Sequence, residues 1–230
     1  MNQRIKTLLT NSIYEIIPMK NTAEKALGLP KGSNVSVTAS PAKGMIATVE
    51  LAEHMAANGY RVIPHISARL TKSTDELKMV VDRVTAAGAT SVFIVGGDAD
   101  DPGEFFDAAS LIRRLNEIGN PFTKLGITGY PEGHPSITDD ALMTALIEKA
   151  PSADYIATQM CFDTRAIARW ATKVRATGVA LPLYAGIPGA SETSRLMTIG
   201  ARIGVGTSLK YLAKNRKSIT KLIRPGLFTP

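Results

Sequence analysis

Ser12-Ile13-Tyr14-Glu15-Ile16-Ile17-Pro18-Met19-Lys20-Asn21-Thr22 is the first strand-like run of the chain, together with the turn that leaves it. A dinucleotide-binding open sheet carries a Gly-x-Gly-x-x-Gly turn at this point, where glycines let the backbone meet a pyrophosphate. Here the turn holds no glycine. The nearest comparable cluster, Gly200-Ala201-Arg202-Ile203-Gly204-Val205-Gly206, comes too late and is wrongly spaced. The run also buries a puzzle, because Glu15 stands among apolar neighbours. A carboxylate in that setting must be paired or must take up a proton, and a raised pKa is what a general acid at neutral pH needs.

Further runs of the same kind recur along the chain: Val35–Ala39, Arg61–Ile66, Ser91–Val95, Lys124–Thr128, Tyr155–Met160 and Leu181–Ala185. Segments of helical period lie between most of them. Thr74–Ala87 puts Leu77, Val80, Val81 and Val84 on one face, with Ser73 or Thr74 as its cap. Phe105–Ile118 turns Phe106, Ala109, Leu111, Ile112 and Leu115 inward and ends at Gly119. Asp139–Lys149 and Asp163–Ala176 follow the same plan, the latter ending at Gly178. Alternation of apolar strands with amphipathic helices predicts an α/β protein with a parallel sheet. No Pro/Ser-rich linker interrupts the series, so residues 1–230 read as one domain. Polar residues close nearly every strand: Glu15, Thr38, His65, Asp98, Tyr130 with Glu132 and His134, and Gln159. A polar rim at the C-terminal strand ends favours a (β/α)8 TIM-barrel type over the open sheet.

Composition agrees with a soluble, cytoplasmic, folded chain. Of 230 residues, 44% are hydrophobic and 20% charged, too apolar for disorder. A single cysteine, Cys161, excludes a disulfide framework and reads as core packing. No apolar run is long enough for a membrane span. The net charge of +7 gathers late, in Lys210, Lys214, Arg216, Lys217, Lys221 and Arg224. Without aromatic interleaving or zinc-finger spacing this reads as a solvated helix face rather than a nucleic-acid surface, and attraction of a polyanionic substrate or cofactor is the other use it would serve. The three histidines lack metal-ligand spacing, so no metal is expected. His54 falls on a helix and reads as surface.

The remaining motifs stand in a telling order. Tyr14-Glu15-Ile16-Ile17-Pro18, Val35-Ser36-Val37-Thr38, Pro64-His65-Ile66, Gly97-Asp98, Tyr130-Pro131-Glu132-Gly133-His134-Pro135, Thr158-Gln159-Met160-Cys161-Phe162-Asp163 and Ala185-Gly186-Ile187-Pro188 resemble the motif series of the methylenetetrahydrofolate reductase family, from about residue 11 to about residue 215. The resemblance implies a (β/α)8 barrel and an oxidoreductase that reduces 5,10-methylenetetrahydrofolate to 5-methyltetrahydrofolate, with NAD(P)H as co-substrate and FAD as the usual carrier. It makes Glu15 the acid that opens the imidazolidine ring, Asp98 the carboxylate that stabilises the resulting iminium, and Gln159 a ligand of the pterin edge. Thr38, His65, Gly97, Asp98, Tyr130, His134 and Asp140 match cofactor-binding positions, and Thr193 falls where the family packs an aromatic residue on its substrate.

Two departures bear on FAD. The family often has Arg-Gly-Asp where this chain has Gly96-Gly97-Asp98, and a family lysine falls near Ile147. Fewer cations weaken a diphosphate site, so direct transfer from NADH is an equal expectation. A folate-dependent one-carbon transferase and a non-catalytic folate-binding subunit are the alternatives. The family's closing strand corresponds to residues beyond Pro230, so the eighth strand is expected to be missing or atypical. A homo-oligomer or another partner is then expected at the open sheet edge.

Overall fold

The computed structural model describes residues 3–187. Among them, seven parallel strands alternate with helices: β1 (Ile13–Ile16), β2 (Asn34–Val37), β3 (Arg61–Ser67), β4 (Ser91–Val95), β5 (Lys124–Gly129), β6 (Tyr155–Thr158) and β7 (Leu183–Tyr184). The helices are α1 (Gln3–Thr10), α2 (Thr22–Ala26), α3 (Gly44–Ala57), α4 (Thr74–Ala86), α5 (Ala108–Glu117), α6 (Asp139–Lys149) and α7 (Thr164–Ala176). The strands pair in chain order, β1 through β7. A doubly wound sheet would reverse direction at a switch point; an unbroken order is that of a (β/α)8 barrel wall. Thr193, the Gly200–Gly206 run, the basic residues from Lys210 to Arg224 and any closing strand lie outside the described residues.

Local chemistry explains the element bounds. Ser73 accepts a hydrogen bond from Glu76 N and starts α4, whose Leu77, Val80, Val81 and Val84 are all buried. Thr138 starts α6 in the same way, accepting from Ala141 N. One inward assignment is corrected. Phe106 is 68% exposed, whereas Phe105 is buried. Asp107 and Ser110 form a reciprocal capping box, so α5 begins at Ala108 and helical periodicity does not reach back to Phe106. The buried face of α5 is then Ala109, Leu111, Ile112 and Leu115.

The contacts divide the chain into two compact units. Among the described residues, one comprises residues 3–127 with 152–154, and the other residues 128–151 with 155–187. In the first, the core lies between β2–β4 and the inner faces of α3, α4 and α5, with Val35, Val37, Val49, Ile66, Leu77, Val92, Ile94, Leu111 and Leu115 fully or almost fully enclosed. In the second, Tyr155 and Ile156 of β6 are buried with Val174 of α7, and Trp170 of α7 lies against Gly129.

Candidate functional site

In the first unit, register brings three polar side chains together. Glu15 pairs with Ser36 across β1 and β2. His65, near the end of β3, places Nε2 2.6 Å from Ser36 Oγ and 4.0 Å from Glu15 Oε2. The imidazole is buried and packs against Phe93 at 4.7 Å between ring centroids. Burial pushes its pKa down to about 3, so His65 is neutral at physiological pH and its approach to Glu15 is not an ion pair. At 4.0 Å it is not a hydrogen bond either. Ser36 therefore holds the ring, and the ring flanks Glu15.

Glu15 combines two traits. Its side chain keeps 63% of its surface open to water. The chain around it nevertheless withholds enough hydration to push its pKa above the usual carboxylate range. Because solvent reaches the carboxylate itself, that rise is held in check. An accessible acid with a raised pKa can give a proton to a ligand and recover it from water.

The buried histidine makes stability depend on pH. The unfolded chain takes up a proton at His65 below about pH 6.5, while the folded chain resists until about pH 3. Stability is therefore full above pH 6.5 and is lost as pH falls towards 3. Between pH 7 and pH 5 the expected loss is about 2 kcal/mol. Glu15, with its pKa raised, pulls the other way, so the comparison that isolates His65 is urea unfolding of wild type and His65→Gln at both pH values. The variant should lack this loss.

The loop after β4 presents Asp98, which is exposed. Gly97 adopts φ +85°, and a Cβ there would lie 2.1 Å from Ser67 Oγ, so only glycine fits. Thr38 follows β2 with its hydroxyl buried and without a hydrogen-bond partner among the described residues.

The second unit carries the other candidates. After β5, Tyr130 and His134 meet edge to face at 5.5 Å. His134 Nδ1 accepts from Ser136 N at 3.2 Å, which leaves Nε2 as the protonated nitrogen of the neutral ring. Glu132 between them has both carboxylate oxygens buried without a hydrogen-bond partner among the described residues. Asp140 is exposed in the first turn of α6. Gln159 follows β6 half-buried, its backbone N–H bonded to Gly129 O at 2.7 Å. Asp163 of the same motif caps α7 by accepting from Arg165 N. Cys161 is buried, as expected of core packing, and His54 is exposed. Among the described residues, no group of three or more His, Cys, Asp or Glu side chains is placed to hold a metal ion.

The sequence model of methylenetetrahydrofolate reductase matches residues 19–201. The chain belongs to the methylenetetrahydrofolate reductase family. Methylenetetrahydrofolate reductase 1 of Schizosaccharomyces pombe is 27% identical over 124 residues, 50% of this chain and 21% of that protein. Methylenetetrahydrofolate reductase 2 of Saccharomyces cerevisiae is 32% identical over 89 residues, 37% of this chain and 15% of that protein. The matches thus span about a fifth or less of the relatives' own length. Among solved structures, a Burkholderia cenocepacia protein described as a lyase/mutase shares the fold at TM-score 0.50 and 20% identity, over 93% of this chain and 87% of that one. Glu15 lies just ahead of the span matched by the family, so its assignment rests on the Tyr14–Pro18 motif and on its geometry.

Family membership raises the question of FAD, and the described donor set fits it poorly. Where the family often places a cation, Gly96 contributes none, and Ile147 is an exposed aliphatic residue on α6. The β4 loop instead carries Asp98, Asp100 and Asp101. Asp101 lies 3.5 Å from Lys72 Nζ, and the Arg69 guanidinium binds the carbonyls of Ala99 and Asp100, so the cations beside this loop are already engaged by the protein itself.

Sequence reasoning passed over Ser36 and Arg69. Ser36 sits inside the Val35–Thr38 motif, but its role depends on a partner 29 residues away. Arg69 belongs to no motif.

Proposed function

We propose that this chain reduces 5,10-methylenetetrahydrofolate to 5-methyltetrahydrofolate with a hydride taken directly from a reduced nicotinamide dinucleotide. The observation that carries the reading is Glu15, an accessible carboxyl with a raised pKa beside a neutral His65, on the strand that leads into the span matched by the family. The acid gives its proton to the ring nitrogen that leaves as the imidazolidine opens. The remaining carbon–nitrogen bond becomes an iminium, and its positive charge is balanced by Asp98. Hydride from the nicotinamide adds to the iminium carbon, forming the methyl group and leaving the nicotinamide oxidised. Glu15 regains its proton from water. Gln159 offers an amide to the pterin edge, and Thr38, Tyr130 and His134 occupy ligand-binding positions of the family. The direct route is supported by Gly96 and Ile147, which supply no cation for an FAD diphosphate where the family often has one.

Two measurements test this together. The purified protein is expected to be colourless, without flavin absorbance. It should consume NADH only when methylenetetrahydrofolate is present, with 5-methyltetrahydrofolate formed in equal amount. A yellow protein would return the hydride route to FAD. Conversion of the folate without loss of NADH would favour a one-carbon transferase, and binding without turnover a folate-binding subunit.

A further inference from the structure

We propose that Arg69 is the positioning residue for Asp98. Arg69 lies in the 3-10 turn Ala68–Leu70 that follows β3, a strand away from the loop it serves. Its backbone N–H donates to Gly96 O at 2.9 Å. Its guanidinium donates through Nε to Ala99 O at 2.6 Å, and through its terminal nitrogens to Asp100 O at 3.2 Å and Phe106 O at 3.4 Å. One residue thus binds carbonyls on both sides of Asp98 and at the far end of the same loop. Ser67 closes the remaining side, with Oγ 3.4 Å from Gly96 O and directly against Gly97.

The chemistry suits a scaffold more than a ligand. All three kinds of guanidinium nitrogen are occupied by backbone carbonyls, and no carboxylate ion pair competes for them among the described residues. Lysine could not do the same, because a single ammonium on a flexible stem cannot span carbonyls arranged around a planar fork. Loop carbonyls that turn away from a sheet must find donors, and here one side chain serves three of them. The carboxylate of Asp98 is exposed and makes no hydrogen bond among the described residues. Its place is therefore set by its backbone, and its backbone by Arg69.

The catalytic half of this inference rests on the proposed role of Asp98; the clamp itself does not. Arg69→Ala and Arg69→Lys are compared with Asp98→Asn by steady-state kinetics, and by amide hydrogen exchange of residues 97–106. Both Arg69 variants should exchange faster in that loop, with the amides of β3 and β4 unchanged. Turnover should fall roughly 100-fold in Arg69→Ala, the scale of a misplaced reacting group. KM for the folate should stay put, and Arg69→Lys should recover little. Unchanged loop exchange in both variants would overturn the clamp. Faster exchange with full turnover, where Asp98→Asn is inactive, would overturn the positioning role. An Asp98→Asn variant that keeps full turnover would refute the role of Asp98, and with it the catalytic half, while loop exchange still judges the clamp. Thermal unfolding of Arg69→Lys guards against a general loss of fold.

Discussion

Replacing Glu15 by Gln is expected to lower turnover roughly 1000-fold, within the range of about 10²- to 10⁴-fold that a positioned general acid contributes. The substitution keeps the size and shape of the side chain and removes only the transferable proton. Glu15 is largely open to water and pairs with no cation among the described residues, so the fold loses nothing by it. Folate affinity should likewise hold, because the proton is needed only as the ring opens. The pH profile gives the sharper test. An acid must be protonated to act, so wild-type activity should decline as pH rises through the pKa of Glu15. Desolvation has moved that pKa upward, so the decline is displaced towards neutrality compared with an ordinary carboxylate. In Glu15→Gln that limb should vanish along with most of the rate. Single-turnover measurement of NADH oxidation separates the chemical step from product release. A variant that kept wild-type turnover would remove Glu15 from the reaction.

Why Glu15 stands out in the sequence, while Ser36 and Arg69 do not, is a matter of range. A carboxylate inside Ile13–Ile17 conflicts with its immediate neighbours, and the conflict is visible within five residues. Strand β4 is legible for the same local reason: the apolar run Ser91–Val95 matches the strand residue for residue. Helix α6 starts where Thr138 can cap it. Phe106 fails because the apolar spacing continues across the helix start, and only the Asp107–Ser110 box says where the helix begins. Ser36 looks like any small polar residue of a strand until register sets it beside Glu15 and His65 reaches it from β3. Arg69 looks like a solvated charge until the β4 loop folds its carbonyls onto the guanidinium. Pattern reveals what each segment does with its neighbours; contacts across 30 residues need the fold.

That distinction governs the second large effect, at Gly186. A Cβ built there would lie 2.4 Å from Thr158 O and 3.2 Å from both Gln159 C and Met160 N. The two segments are also stitched together: Gly186 N donates to Thr158 Oγ1 at 2.9 Å, and Cys161 N donates to Gly186 O at 3.0 Å. Gly186→Ala therefore presses on backbone that is itself hydrogen-bonded. Gly129 supplies the contrast. A Cβ there would lie 2.4 Å from the Trp170 ring and 2.9 Å from Ile156 Cγ2, both of them side chains. Trp170 is only half-buried and can swing outward, so Gly129→Ala should cost about 1 kcal/mol. Gly186→Ala has no such relief and should cost about 3 kcal/mol, the upper end for overpacking. Trp170, the chain's single tryptophan, reports both in urea unfolding followed by its emission. Function should separate them further. Moving Thr158 and Gln159 displaces the amide proposed to meet the pterin, so Gly186→Ala should weaken folate binding at a urea concentration where it is still folded. Gly129→Ala should weaken folate binding less than Gly186→Ala, because most of its strain falls on the half-buried Trp170 ring and none of the three nearest atoms is backbone of Thr158–Met160.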